Sequence, residues 1–317
     1  MGLLTTTVGS FPRPRELQLA RWRFSEGEIE QDALREIESQ ATRTVLEQQS
    51  ELGLELLVDG QMDRSDMISA FGEHLEGVES GGLVRCYDNR YYRKPLVVGD
   101  IVRKAPMTVA SWERARAMAE KPVKAIVTGP YTLMDWSSDE HYASRGACCL
   151  AFAAALRTEV EDLLRAGAAE IQIDEPAATV REDEMDLVEQ ALSQVVQGLG
   201  GKARTWVHLC YGNFEPVIDR VLGLPVDGVM LDLGHANEGL LESLDRLPEH
   251  KLLCAGVLDA ASARVEAVDE IRSRIERIAA KVPVERLWVA PNSGLRALSD
   301  EQARGKLGSM IEAAKAF

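Results

Sequence analysis

Short apolar runs alternate with helix-like stretches along almost the whole of this chain, and that alternation constrains the fold more than any other feature. Eight runs read as strands: residues 5–8, 54–58, 125–128, 169–174, 205–208, 228–232, 252–257 and 287–290. Helical periodicity fills the gaps, most cleanly where Val268, Ile271, Ile275 and Ile278 form an i, i+3, i+4 stripe. Ser25 with Glu28 reads as a capping box opening a long helix that ends at Gly53, and Ser299 with Gln302 as a second box before the last helix. Strands alternating with helices imply a parallel sheet, and eight of them imply an α/β fold of the (β/α)8 TIM-barrel type. A doubly wound open sheet would more often carry a glycine-rich loop after an early strand, and none is present. The 317 residues suit a single catalytic barrel over 1–317.

One segment interrupts the alternation. Residues 66–108, after the second strand, are too long for a βα loop. They contain apolar patches at 84–87 and 96–98 around Asp88-Asn89-Arg90. The segment reads as an inserted β-hairpin covering the barrel mouth, with Tyr91 and Tyr92 near Trp136, because long ordered insertions are usually lids or binding loops.

Composition removes several classes of function. A net charge of −15 argues against nucleic acid and anionic membranes as partners. No apolar run is long enough to span a bilayer, and the N-terminus lacks the basic and apolar regions of a signal peptide. Residues 1–6 fit a loose myristoylation pattern, but they run into the first core strand. Five cysteines (Cys86, Cys148, Cys149, Cys210 and Cys254) are odd in number and irregularly spaced, which suits a reducing, cytoplasmic setting. Cys148 and Cys149 fall in a helix-like stretch and read as packing residues.

Active sites of barrels gather at the C-terminal ends of the strands. Polar residues stand at nearly every such end here: Ser10, Gln61, Thr128, Asp174, His208 with Cys210, Asp232, Asp259 and Ser293. Loop capping accounts for each one singly; together they describe a site. His208 and Cys210 are two apart on a strand and share a face. Asp232 closes the next strand. Imidazole, thiolate and carboxylate are the donor types of zinc. A core cysteine beside a hydrogen-bonded histidine is the other reading of the pair.

These residues lie within longer matches. They include Thr7-Val8-Gly9-Ser10-Phe11-Pro12, Asp63-Arg64-Ser65-Asp66-Met67, Phe71-Gly72-Glu73-His74-Leu75, Lys121-Pro122-Val123-Lys124, Trp136-Ser137, Ile171-Gln172-Ile173-Asp174-Glu175-Pro176-Ala177, His208-Leu209-Cys210-Tyr211 and Arg286-Leu287-Trp288-Val289. Over nearly its whole length the chain resembles the catalytic C-terminal half of cobalamin-independent methionine synthase, in a short single-barrel form. The resemblance implies a zinc-dependent methyltransferase with homocysteine, or another small-molecule thiol, as methyl acceptor. The donor is a methylated folate or, with the family's N-terminal half outside this sequence, methylcobalamin presented by a corrinoid protein. Ser10, Gln61, Asp174 and Trp136 then face the substrate, with Asp174 at its amino group. Asp174 and Asp259 are the catalytic candidates. His208, Cys210 and Asp232 hold the metal, with Ser293 at the possible fourth position.

Four positions depart from the family pattern. Asp232 stands for a glutamate ligand, Ser293 for a cysteine ligand, Gln61 for a substrate-binding glutamate and Ala261 for a histidine implicated in acid–base work. A protonated serine hydroxyl is a poor zinc ligand, and a site short of one thiolate makes bound sulfur less nucleophilic. His235 and Cys254 are weaker candidates to replace the missing donor. The departures leave room for a diverged member acting on another thiol or small substrate, in C–S bond formation or lysis, with a three-ligand metal centre. A binding protein without turnover is disfavoured by polar residues at so many strand ends.

Overall fold

The computed structural model describes residues 2–85, 91–213 and 215–317, apart from the side chains of residues 235–238. Asp88, Asn89, Arg90, Cys86 and the side chain of His235 therefore lie outside the described residues. The fold is α/β. Seven strands share one sheet: β1 (Leu4–Thr5), β4 (Ala125–Thr128), β6 (Glu170–Asp174), β7 (Arg204–Leu209), β8 (Gly228–Asp232), β9 (Leu252–Leu258) and β10 (Leu287–Pro291), in the order β1-β10-β9-β8-β7-β6-β4. The pairs β1/β10, β4/β6, β6/β7 and β7/β8 are parallel. Their near-continuous burial is what a parallel sheet covered by helices requires.

The chain divides into two compact units, Met1–Arg64 with Ser111–Val123 and Ala255–Phe317, and Ser65–Ala110 with Lys124–Cys254. In the first unit the expected second strand does not form. Residues 54–58 make one isolated parallel bridge, Leu57 to Val123. The reason is a side chain. Gln49, buried on helix α2 (Gln31–Leu52), donates to the Val58 carbonyl at 2.8 Å and accepts from the Val58 amide at 3.0 Å. Both backbone groups of Val58 are taken by that one amide, so the pairing that Leu56 and Leu57 begin, with the Thr5 and Pro122 carbonyls, stops short of it. The helix expected from Ser25 to Gly53 starts later, at Gln31. Ser25 is the last residue of α1 (Arg15–Ser25), where its hydroxyl donates to the Trp22 carbonyl at 2.7 Å rather than capping the next helix. Gly53 does close α2, in the left-handed region at φ 96°. The stripe on α9 (Val268–Ala279) buries Ile271, Ile275 and Ile278, and α10 (Asp300–Ala314) carries the Ser299/Gln302 capping box.

The second unit contains an antiparallel strand pair, β2 (Leu75–Arg85) with β3 (Tyr91–Arg103), and β3 continues into a short parallel pairing with β5 (Ser138–Asp139). Both strands are much longer than the apolar patches at 84–87 and 96–98. Much of β2 is exposed on both faces, so its residues carry no alternation for a pattern to register. The far end of β3 is tied to helix α6 (Arg145–Ala166) by Glu159, whose side chain is fully buried. One carboxylate oxygen takes Arg103 Nε at 2.9 Å, Arg103 Nη2 at 2.6 Å and the Met107 amide at 2.9 Å. The other takes the Thr108 amide at 2.6 Å and its hydroxyl at 2.8 Å. Cys148 and Cys149 are buried within α6, as packing residues would be.

Candidate functional site

In the second unit the site is built from four adjacent strands. Register sets its geometry: Thr128 pairs with Asp174, Asp174 with His208, and His208 with Met230. Side chains in register on parallel strands point the same way, so these four form one row. Cys210 and Asp232 follow directly after the Leu209–Leu231 pair. Asp174 and His208 meet, with Asp174 Oδ1 at 3.3 Å from His208 Nδ1. A carboxylate at Nδ1 fixes the ring's orientation and leaves Nε2 for another partner. The same Oδ1 accepts from Gln172 Nε2 at 2.6 Å. Asp174, His208 and Cys210 are all buried.

Backbone hydrogen bonds lock these ends together. The Gly129 amide donates to the Asp174 carbonyl at 2.8 Å, and the Glu175 amide to the His208 carbonyl at 2.9 Å. Glu175 then turns away from the row to cap α5 (Pro130–Asp135). Its carboxylate accepts from the Tyr131 amide at 3.0 Å, the Thr132 amide at 2.8 Å and the Thr132 hydroxyl at 2.6 Å. Burial pushes the Glu175 carboxyl up to about 7, against the pull of the Thr132 donors. A Cβ on Gly129 would lie 2.1 Å from the Glu175 carboxyl carbon. Gly129→Ala is therefore expected to displace the cap and cost about 2–3 kcal/mol, read as a lowered urea midpoint. An unchanged midpoint would mean the carboxylate is not where this geometry puts it.

Trp136 closes α5, and the Tyr92 hydroxyl donates to its carbonyl at 2.9 Å, with the two rings 6.0 Å apart. The strand pair thus reaches the segment that leaves β4, through Tyr92. Tyr91 points to solvent. Lys124, buried just before β4, has its Nζ 3.9 Å from Met230 Sδ. Burial lowers that ammonium to about 8, while Cys254, Asp174 and Glu170 act in the opposite direction.

The first unit holds the other candidates, also at loops that follow strands. The Phe11 amide donates to the Gly60 carbonyl at 3.2 Å, and the Leu295 amide to the Ser10 carbonyl at 2.8 Å. Ser10 packs so closely on Gly294 that a Cβ there would sit 2.1 Å from its hydroxyl. Asn292 accepts from the Ala260 amide at 2.9 Å, which brings the loop of Ser293 beside that of Asp259. Glu266, buried with Lys306 at 2.8 Å, accepts the Asp259 amide at 2.9 Å. Gln61 and Tyr211 are the two non-glycine residues with positive φ among the described residues, 54° and 59°. Such strained backbone gathers at functional sites. Both flank candidates: Gln61 is one, and Tyr211 follows Cys210.

The zinc expectation fares differently. Among the described residues no group of three or more His, Cys, Asp and Glu side chains is placed to hold a metal ion. Asp232 Oδ1 accepts the Gly234 amide at 2.9 Å, in an Asx turn. The carboxylate against His208 is that of Asp174. Ser293, buried beside Asn292 at 3.4 Å, offers a neutral hydroxyl. The donors present do not make up the ligand set expected of the family. Gln172 and Glu175 fall inside the matched motif at 171–177 without an assigned role, and Glu159 lies in no motif; only their partners in space reveal what they hold.

Fold and site together define an α/β protein with a parallel sheet and buried polar groups at its strand ends. The model of the catalytic domain of cobalamin-independent synthase matches residues 3–316, and the chain belongs to that family. It is 36% identical over 326 residues to the 5-methyltetrahydropteroyltriglutamate–homocysteine methyltransferase of Nitratidesulfovibrio vulgaris and 35% identical over 321 residues to that of Proteus mirabilis. These matches cover 99% and 98% of this chain. The chain spans 41% and 42% of the length of those relatives. Among solved structures it is similar to a B12-independent methionine synthase from Shewanella sp. W3-18-1 in complex with selenomethionine, at 26% identity and a TM-score of 0.88, covering 100% of this chain and 98% of that one. A putative vitamin-B12-independent methionine synthase from Listeria monocytogenes, 21% identical, shares the fold at a TM-score of 0.83, covering 98% of this chain and 96% of that one.

Proposed function

We propose that this chain is a methyltransferase that carries a methyl group to the sulfur of homocysteine or a close thiol amino acid, on a (β/α)8 barrel partly covered by segment 66–108. The observation that carries it is Asp174, a buried carboxylate at the end of β6 held on one side by Gln172 and His208. A carboxylate placed in this way suits an ammonium group. The selenomethionine bound by the Shewanella relative is a ligand of the same class. A methylated folate is the donor proposed, since both curated relatives carry one in their names and neither names a corrinoid. In this chain Asp174 binds the ammonium and orients His208.

Methionine formation from homocysteine and 5-methyltetrahydrofolate, as monoglutamate and triglutamate, tests the reaction by mass spectrometry. No product from either donor, and no methionine binding, would end this reading. A second reading has its own observation. Gln61 is neutral where the family carries a carboxylate, so the acceptor could differ from homocysteine. Turnover of another thiol faster than homocysteine would favour it.

Zinc is a separate test. With the donors described, protein purified without chelator is expected to carry well under one equivalent of zinc, and to lose it to a weak chelator. A full, chelator-resistant equivalent would mean that His208, Cys210 and Asp232 do converge on an ion.

A further inference from the structure

We propose that Gln172 is a positioning residue that aims Asp174 at the substrate ammonium. The proposal rests on the amino-acid site assigned above and names a part of it that lies one row deeper. Gln172 is fully buried on β6, two residues before Asp174 and on the same face. It sits between Ile126 and Trp206 in the register of the neighbouring strands. Its Nε2 donates to Asp174 Oδ1 at 2.6 Å, and that oxygen is also the one 3.3 Å from His208 Nδ1. Among the described residues both side-chain contacts of Asp174 thus fall on a single oxygen. An aspartate has two torsions to fix, and the Gln172 donor with the His208 ring against the same oxygen holds the carboxylate in place. Oδ2 is left to the ligand.

The chemistry of the donor matters. A lysine or arginine below Asp174 would hold it equally well but would neutralise the charge that attracts an ammonium. An amide holds the carboxylate without cancelling it. A buried glutamine in this row, where barrel interiors usually carry branched apolar residues, otherwise costs desolvation with no return in packing.

The test compares two ligands on the full chain by titration calorimetry: methionine, and 4-(methylthio)butanoate, which keeps the thioether and carboxylate but lacks the ammonium. In Gln172→Met, similar in length and apolar, methionine affinity is expected to fall about tenfold, or ~1.4 kcal/mol, with the analogue unchanged. Gln172→Asn, polar but one methylene too short to reach Oδ1, is expected to show the same selective loss, and it serves if Gln172→Met does not fold. Equal loss for both ligands in either variant would make Gln172 a packing residue and overturn the proposal. Unchanged methionine affinity would overturn it as well. If the unsubstituted protein binds neither ligand, the amino-acid site itself is wrong and the proposal falls with it.

Discussion

Asp174→Ala is expected to lower methionine affinity by about a hundredfold or more, roughly 3 kcal/mol. Truncating one side of a buried charge pair typically costs 2–5 kcal/mol, because the partner charge is left without compensation. Here the partner is the ligand's ammonium, and two protein groups lose their acceptor at the same time. Gln172 Nε2 would face a void and His208 Nδ1 would lose its carboxylate. Asp174→Asn separates these effects. It keeps the shape and one acceptor oxygen, so the fold should hold, but it removes the charge. Calorimetry with methionine, alongside the thermal midpoint of each variant, distinguishes a lost site from a lost fold. Binding to the asparagine variant at full strength would show that the ammonium is held elsewhere.

The largest effect on stability is expected at Glu159, on α6. Glu159→Ala removes the acceptor for a guanidinium, two backbone amides and a hydroxyl in one step. Breaking a buried ion pair from one side costs about 3–5 kcal/mol. Arg103 keeps a second carboxylate, Asp162 at 2.6 Å, so its charge is not stranded, and the loss should fall in the lower half of that range. The Met107 and Thr108 amides have no such replacement and would have to turn to water. A drop in apparent thermal midpoint on the order of 10 °C is expected, together with faster tryptic cutting in segment 103–108. The proteolysis matters because this loss is local, where β3 leaves for α4 (Val109–Met118). A midpoint within about 2 °C of the parent, or unchanged cutting, would show that the segment is held by something other than Glu159.

Much of this architecture was legible in the order of residues alone. The runs at 125–128 and 228–232 became β4 and β8 with the same bounds, because a buried parallel strand is a short apolar run and nothing else in the chain competes for it. The stripe of α9 and the Ser299 box of α10 were equally plain, since helix period and capping act over three or four residues. The matched motifs contain Asp174 and His208, whose side chains meet at 3.3 Å. What escaped was set by partners distant in the chain. Gln49 cancels the strand at Val58 from nine residues away, and no local propensity announces it. Glu175 follows Asp174 directly in the chain, yet its contacts with Tyr131 and Thr132, more than forty residues back, make it a helix cap. The Asx turn that ties Asp232 Oδ1 to the Gly234 amide likewise shows only in the structure. Sequence determines which groups can be acids, donors or ligands. Only the tertiary structure decides which of them meet, because a hydrogen bond depends on ångström distances that chain order does not encode.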